Sequence, residues 1–200
     1  MIDRTKYMNK EEADRLRSYA EGQALIDLRE GRVKGGLAWM LIDFALCTGL
    51  RVSEIAAVKI EDIDFKRKAV KVTRLKRKKK TFETLAVDSK LIAHIKEYIE
   101  GRKSGHLFRG QKKGSRGNGD LKAQALQVIW KKAIIRAGLP KELSVHSARH
   151  TMAVHLLKKT GNLRQCQKQL GHSSPSTTAK FYADISFEDM QAGVEGLYEQ

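Results

Sequence analysis

The sequence predicts a mostly α chain carrying one small antiparallel β-sheet, an α+β fold built as a single domain over residues 1–200. Three observations predict it. Apolar residues recur at helical spacing through most of the chain, the period shortens to two between Asp62 and Val87, and no segment repeats another. With 41% hydrophobic residues, 200 residues are enough to bury one core.

The elements follow in order. A first helix is expected from about residue 10 to 29, because Asn9 and Glu12 have the spacing of a capping box and Gly31 supplies a stop. The segment GLAWMLIDFALCTGL places Leu37, Met40, Leu41 and Phe44 on one helical face and breaks at Gly49. Ser53 then reads as the N-cap of a short helix, SEIAAVK. From Asp62 the stretches IDFKRKAVKVTRL and TFETLAV alternate apolar and polar residues, with RKKK between them. That pattern is a β-hairpin or the end of a three-stranded meander, with lysines at its turn. A helix from about 89 to 100 turns Leu91, Ile92, Ile95 and Ile99 inward and is capped by Gly101. Residues 109–120, RGQKKGSRGNGD, are glycine-rich, basic and aperiodic. Helices with matching apolar faces flank them, so they form a loop within the domain. A helix over 121–137 carries Leu121, Ala125, Ile129, Trp130 and Ala133 and ends at Gly138 and Pro140. The last third divides into four short helices, about 146–159, 163–170, 176–183 and 187–198, separated at Gly161, at GHSSPS and at Asp184 to Ser186.

Charge narrows the function. Lys and Arg total 39 against 23 Asp and Glu, a formal charge of +16 and far more than solubility needs. A field of that sign gathers polyanions, of which nucleic acid is the commonest, although a ribosomal-type or merely soluble basic protein carries it too. Aromatic residues, at 6%, argue against a base-stacking single-strand platform without excluding it. Cys47 and Cys166 lack CxxC spacing and read as buried or incidental thiols of a reducing compartment, not as a disulfide or zinc site. The start, MIDRTKYMNKEEADRL, has no apolar signal region, and no apolar run reaches membrane-spanning length. The expectation is a cytoplasmic, nucleoid-associated protein without membrane contact.

Several polar residues sit oddly. Arg51 follows a Thr-Gly-Leu break at the end of an apolar helix. His146 and Arg149 share the opening turn of another, HSARHT. His172 follows Gly171 at a helix end, Tyr182 lies on a short helix ten residues later, and Lys76 closes a strand beside the basic turn. Singly, each has an ordinary explanation as a solvated cation, a helix cap or a packing ring. Together they supply what phosphodiester transfer by a covalent route requires. Arginine forks bind phosphate oxygens and stabilise transition-state charge. A tyrosine hydroxyl is a nucleophile, and a lysine or histidine can move the protons. No carboxylate pair is present for two-metal catalysis, and His146 and His150, though i and i+4, lack the glutamate of HExxH. No metal and no cofactor are therefore expected.

These same residues resemble the tyrosine recombinases of the phage-integrase type. TGLRVSEIAAVKIEDID is similar to the family's first box, HSARHT to its second and LGHSSPSTTAKFY to its third, over nearly the whole chain from about Asn9. The resemblance implies the catalytic-domain fold of DNA breaking-rejoining enzymes. It implies a catalytic set of Arg51, Lys76, His146, Arg149, His172 and the nucleophile Tyr182, with Glu54 as the supporting acid. Arg77, Lys78, Lys79 and Lys80 would contact DNA from the hairpin turn, and counting back from ETLAV leaves Lys78 open as the catalytic lysine in place of Lys76. The interval from His172 to Tyr182 is one residue longer than is common in the family. Since one residue turns a helical side chain by about 100°, the loop SSPS has to absorb it.

Implied further are double-stranded DNA as substrate, a 3′-phosphotyrosyl intermediate and a Holliday junction, leading to integration, excision or inversion. The resemblance also implies a homotetramer on DNA from a monomer or weak oligomer free in solution, with accessory DNA-bending proteins as a further partner class. The helical core-binding domain that most of the family carry before the first box is expected to be missing from this chain. Either the chain is a truncated piece, or it is one of the naturally short recombinases, which resemble the invertases that switch fimbrial genes. The tail over 186–200 puts Phe187, Met190, Val194 and Leu197 on one face, either for folding back on its own domain or for exchange with a neighbouring protomer. A type IB topoisomerase, rejoining the same strand, and a non-catalytic basic DNA-binding module are the rival readings.

Overall fold

A reciprocal cap starts the first helix, α1 (Lys10–Arg29). Asn9 Oδ1 accepts the Glu12 N–H at 2.7 Å, and a Glu12 carboxylate oxygen accepts the Asn9 N–H at 2.8 Å, which satisfies two donors that a helix start leaves open. The computed structural model describes residues 6–31, 34–76, 79–110 and 119–171, with only the backbone described at 34, 35, 75, 76, 79 and 80. The next helix, α2 (Lys34–Thr48), is more deeply placed than one apolar stripe requires. Met40, Leu41, Ile42, Phe44, Ala45 and Leu46 are all buried. A helix apolar on every side belongs inside the protein, and α2 is the central element.

A left-handed turn at Gly49 (φ +62°) ends α2, and α3 (Val52–Ala57) begins at once. Its N-cap is Arg51 and not Ser53. The Glu54 carboxylate reaches back to accept the Arg51 N–H at 2.8 Å, and this starts the helix two residues earlier than a cap at Ser53 would. After a 3₁₀ turn (Ile60–Asp62) come β1 (Ile63–Asp64), β2 (Ala69–Lys76) and β3 (Lys79–Ala86), a three-stranded antiparallel meander in that order. The register pairs Ala69 with Ala86 and Lys76 with Lys79. Along β2, Val70 and Val72 are buried while Lys71 is exposed, so the alternation read from the sequence describes a half-buried sheet.

Helix α4 (Ser89–Ile99), capped by Asp88, buries Leu91, Ile92, Ile95 and Ile99 as predicted. The left-handed residue at its end is Glu100 (φ +48°), one place before the expected Gly101, which itself follows at φ +80°. Gly110 donates to the Gly119 carbonyl at 2.6 Å and Arg109 bridges to Asp120, so the two ends of the basic loop are clamped together. Helix α5 (Ala123–Arg136) starts later than residue 121. Its buried stripe is Leu126, Trp130, Ala133 and Ile134, with Leu121, Ala125 and Ile129 only half-buried. Helices α6 (Val145–Thr160) and α7 (Leu163–Leu170) end on left-handed glycines, Gly161 and Gly171. Around α2 pack α1, α4, α5 and α6, while α3 lies against α5 and β2.

The helices expected over 176–183 and 187–198 lie outside the described residues. Cys47 and Cys166 are free thiols, and burial pushes both up to about 11. No helix among the described residues is long and apolar enough to cross a membrane.

Candidate active site

The site is assembled where α2 stops. The Thr48 hydroxyl donates to the Phe44 carbonyl at 2.7 Å, which ends the helix with its own side chain. Gly49 then reverses the chain. Its φ of +62° favours glycine, and a Cβ there would stand 2.3 Å from Met152 Cε and 3.0 Å from Leu170 Cδ2, so those side-chain ends would have to shift. The reversal brings Arg51 out at the N-terminus of α3, with its side chain 48% exposed.

Behind Arg51 lies a buried ionic network. Glu54 Oε1 accepts Arg51 Nη1 at 2.9 Å. Glu54 Oε2 accepts both the Arg51 backbone N–H at 2.8 Å and Arg74 Nη1 at 3.0 Å. Arg74 Nε donates to Glu83 Oε2 at 2.9 Å, and Arg74 Nη2 to the Gln169 carbonyl at 3.0 Å. Such charges are tolerable without water only because their hydrogen bonds are made. From the opening turns of α6, Arg149 donates to the Gly49 carbonyl through Nη1 and to the Leu170 carbonyl through Nη2, both at 2.7 Å. Two carbonyls of the last turn of α7 therefore each accept from a buried guanidinium, at the end where the helix dipole is negative.

The electrostatics are lopsided. Burial, with the Arg51 guanidinium beside it, brings Arg149 down to about 10, against the opposing pull of Glu54. Burial and then the positive charges of Arg149 and Arg51 lower His146 from its ordinary value, so its imidazole is neutral at pH 7. His150, edge-on to His146 at 4.4 Å between ring centres, is brought down to about 4 by burial, His146, Arg149 and Lys6. The arrangement can therefore bind an anion at the exposed fork of Arg51 and accept a proton at His146.

Of the residues singled out from the sequence, Arg51, Glu54, His146 and Arg149 are brought together from α3 and α6. The Lys76 backbone ends β2 opposite Lys79, and the Lys80 backbone lies opposite Leu75. Arg77, Lys78, His172 and Tyr182 fall outside the described residues. Two functional candidates were missed, Arg74 and Glu83. The signal was present, because Arg74 occupies the inward side of β2 in the alternation Val70, Val72, Arg74, and an arginine at an inward position needs partners. Among the described residues, no group of three or more His, Cys, Asp or Glu side chains gathers to hold a metal ion.

Comparison with known proteins gives the family of the chain. The model of the phage integrase family matches residues 6–189. A tyrosine recombinase of Pseudothermotoga lettingae is 32% identical over 168 residues, covering 82% of this chain and 56% of that protein. Tyrosine recombinase XerC of Xanthomonas axonopodis pv. citri is 32% identical over 155 residues, covering 75% and 47%. The chain thus spans about half the length of the curated relatives it matches. Among solved structures, the XerA recombinase superposes with a TM-score of 0.70 at 21% identity, over 94% of this chain and 61% of the other. The XerH site-specific recombinase, bound to its palindromic difH substrate in a post-cleavage complex, gives 0.69 at 19% identity, over 97% and 53%.

Proposed function

The chain belongs to the phage integrase family, and from that premise we propose that it is a site-specific tyrosine recombinase acting on double-stranded DNA without a metal ion. The observation that carries this reading is the convergence of Arg51, His146 and Arg149 on one side of the buried Glu54 and Arg74.

The scissile phosphodiester sits on the exposed fork of Arg51 and against the Arg149 guanidinium, with His172 completing its hold. The Tyr182 hydroxyl attacks phosphorus. A P–O bond forms to the phenol oxygen, its proton passes to the neutral imidazole of His146, and the bond to the 5′-oxygen breaks as Lys76 protonates it. The arginines offset the charge gathered on the non-bridging oxygens. A 5′-hydroxyl from a partner strand then attacks the 3′-phosphotyrosyl ester and releases Tyr182, which makes and later resolves a Holliday junction. Arg77, Lys78, Lys79 and Lys80 hold the DNA backbone beside the cleaved strand. The assembly is a homotetramer on DNA, from a monomer or weak oligomer in the cytoplasm, associated with the nucleoid. Residues 1–200 act as the catalytic domain and 186–200 link neighbouring protomers.

The test is trapping on nicked duplexes, where loss of a short 5′-fragment prevents religation. A pool with randomised sequence recovers DNA covalently bound to the wild-type chain. Tyr182→Phe binds the same duplex and forms no adduct. Adduct formation by that variant removes Tyr182 as nucleophile.

A further inference from the structure

Arg74 takes no direct part in the chemistry above. It is 1% exposed and is not assigned to the phosphate. Each of its nitrogens is nonetheless committed to a different part of the chain. Nη1 goes to Glu54 of α3, Nε to Glu83 of β3, and Nη2 to the Gln169 carbonyl of α7. Gly171 crosses the same group. A Cβ at that residue would lie 2.5 Å from Arg74 Nε, 2.6 Å from Cζ and 2.8 Å from Glu83 Oε2. The chain after α7 therefore runs in contact with the guanidinium, and only glycine can pass. The next residue is His172.

We propose that Arg74 is a positioning residue for strand cleavage, holding Glu54, and through it the phosphate-facing Arg51, in fixed register with the end of α7 that leads into His172. The inference rests on the recombinase reading of the site and adds the device that sets its geometry. A planar fork is required. Lysine keeps the charge, but its single ammonium on a flexible stem cannot hold two carboxylates and a carbonyl in three fixed directions. Reaction geometry is unforgiving, and a displacement of about 1 Å costs on the order of 100-fold in rate.

The experiment uses the full 200-residue chain and the nicked duplex recovered by trapping with the wild type. Adduct formation is followed in single turnover, which separates the rate constant from the fraction of active molecules. Arg74→Lys lowers the rate constant by about 100-fold and leaves the DNA dissociation constant within about two-fold, because the phosphate-facing groups remain. A merely structural role would lower the active fraction and leave the rate constant of the survivors unchanged, and that result overturns the proposal. In an Arg51→Lys background the same change costs much less than 100-fold, since the two residues act in series; full additivity refutes the coupling through Glu54. Should Arg74→Lys fail to fold, Glu83→Gln tests the same link. It keeps an acceptor for Nε, weakens the orientation, and lowers the rate constant by about 3- to 10-fold; an unchanged rate constant there counts against the proposal. A wild-type chain that forms no adduct removes the recombinase reading and this inference with it. Adduct formation with an unaltered Arg74→Lys rate constant removes this inference alone.

Discussion

Glu54→Gln puts the buried network to a direct test. The substitution keeps the volume and removes one charge and one acceptor. In the native site Oε2 serves two donors, the Arg51 backbone N–H and Arg74 Nη1, and Oε1 serves Arg51 Nη1. A glutamine with its oxygen at the Oε2 position keeps both shared bonds and turns its amide N–H groups toward the Arg51 guanidinium. Arg51 is half-exposed and swings into water at a cost below about 1 kcal/mol. Arg74 cannot leave, and it keeps a neutral acceptor where it had a carboxylate. Removing one partner of a buried pair costs about 3–5 kcal/mol. Because one hydrogen bond to Arg74 survives, the lower end applies, about 3 kcal/mol in all. For a chain of this length that lowers the melting temperature by roughly 6–12 °C. Thermal melting followed by circular dichroism, backed by urea titration at constant slope, measures it. DNA affinity should hold or rise, since the site gains net positive charge. A shift under 2 °C would refute the reasoning, because it would mean that Arg74 does not depend on Glu54 for its charge balance.

Gly171→Ala should destabilise the protein by about 1–2 kcal/mol from its left-handed backbone alone, and more from the clash with Arg74 and Glu83. Adduct formation should fall further than stability does, as a melt and a trapping assay on one preparation would show. Histidine titration gives an acid-side prediction. His150 falls from an ordinary 6.5 to about 4 in the folded chain, so between those values the unfolded chain binds the extra proton. Stability is therefore complete above about pH 6.5 and declines as pH drops toward 4. Allowing for the ring's partial contact with water, urea titrations at pH 7.5 and 5.5 should differ by about 1 kcal/mol more for the wild type than for His150→Gln. Equal differences would refute this account. His146 shifts the same way, so the acid limb of the adduct-formation rate should lie below pH 6.5.

What was legible in the sequence was what short-range physics controls. The Asn9 and Glu12 cap, the period-two meander and the apolar rows of α4 depend on neighbours within one turn or one strand pair, and each took the expected form. Errors came where a distant partner decides. Ser53 is the better cap by composition, yet Glu54 closes the helix on Arg51 because the same carboxylate also answers Arg74, 20 residues on. The stripe on α2 was read as one face, and four helices that the pattern could not place cover it on the others. Arg74 itself is not singled out by the sequence pattern. Its inward position was visible, but its partners Glu83 and Gln169 become neighbours only when the hairpin and α7 close on the same point.

The charge balance at that point favours an anionic ligand. Among the described side chains, three guanidinium groups, Arg51, Arg74 and Arg149, face two carboxylates, Glu54 and Glu83, and the nearby imidazole of His146 is neutral. One positive charge is left over in a largely buried setting, where burial and then the Arg51 guanidinium lower Arg149. A phosphodiester carries one negative charge and offsets that excess among the described groups, to which a protonated Lys76 would add its own. On the recombinase reading proposed above, an internal phosphate of a DNA strand would take up that charge, and the buried acids set how much charge the arginines have left to offer. Adding a third carboxylate beside Arg149 would stabilise the free protein and weaken its hold on DNA. That opposition between stability and binding is what a site built for a phosphodiester should show.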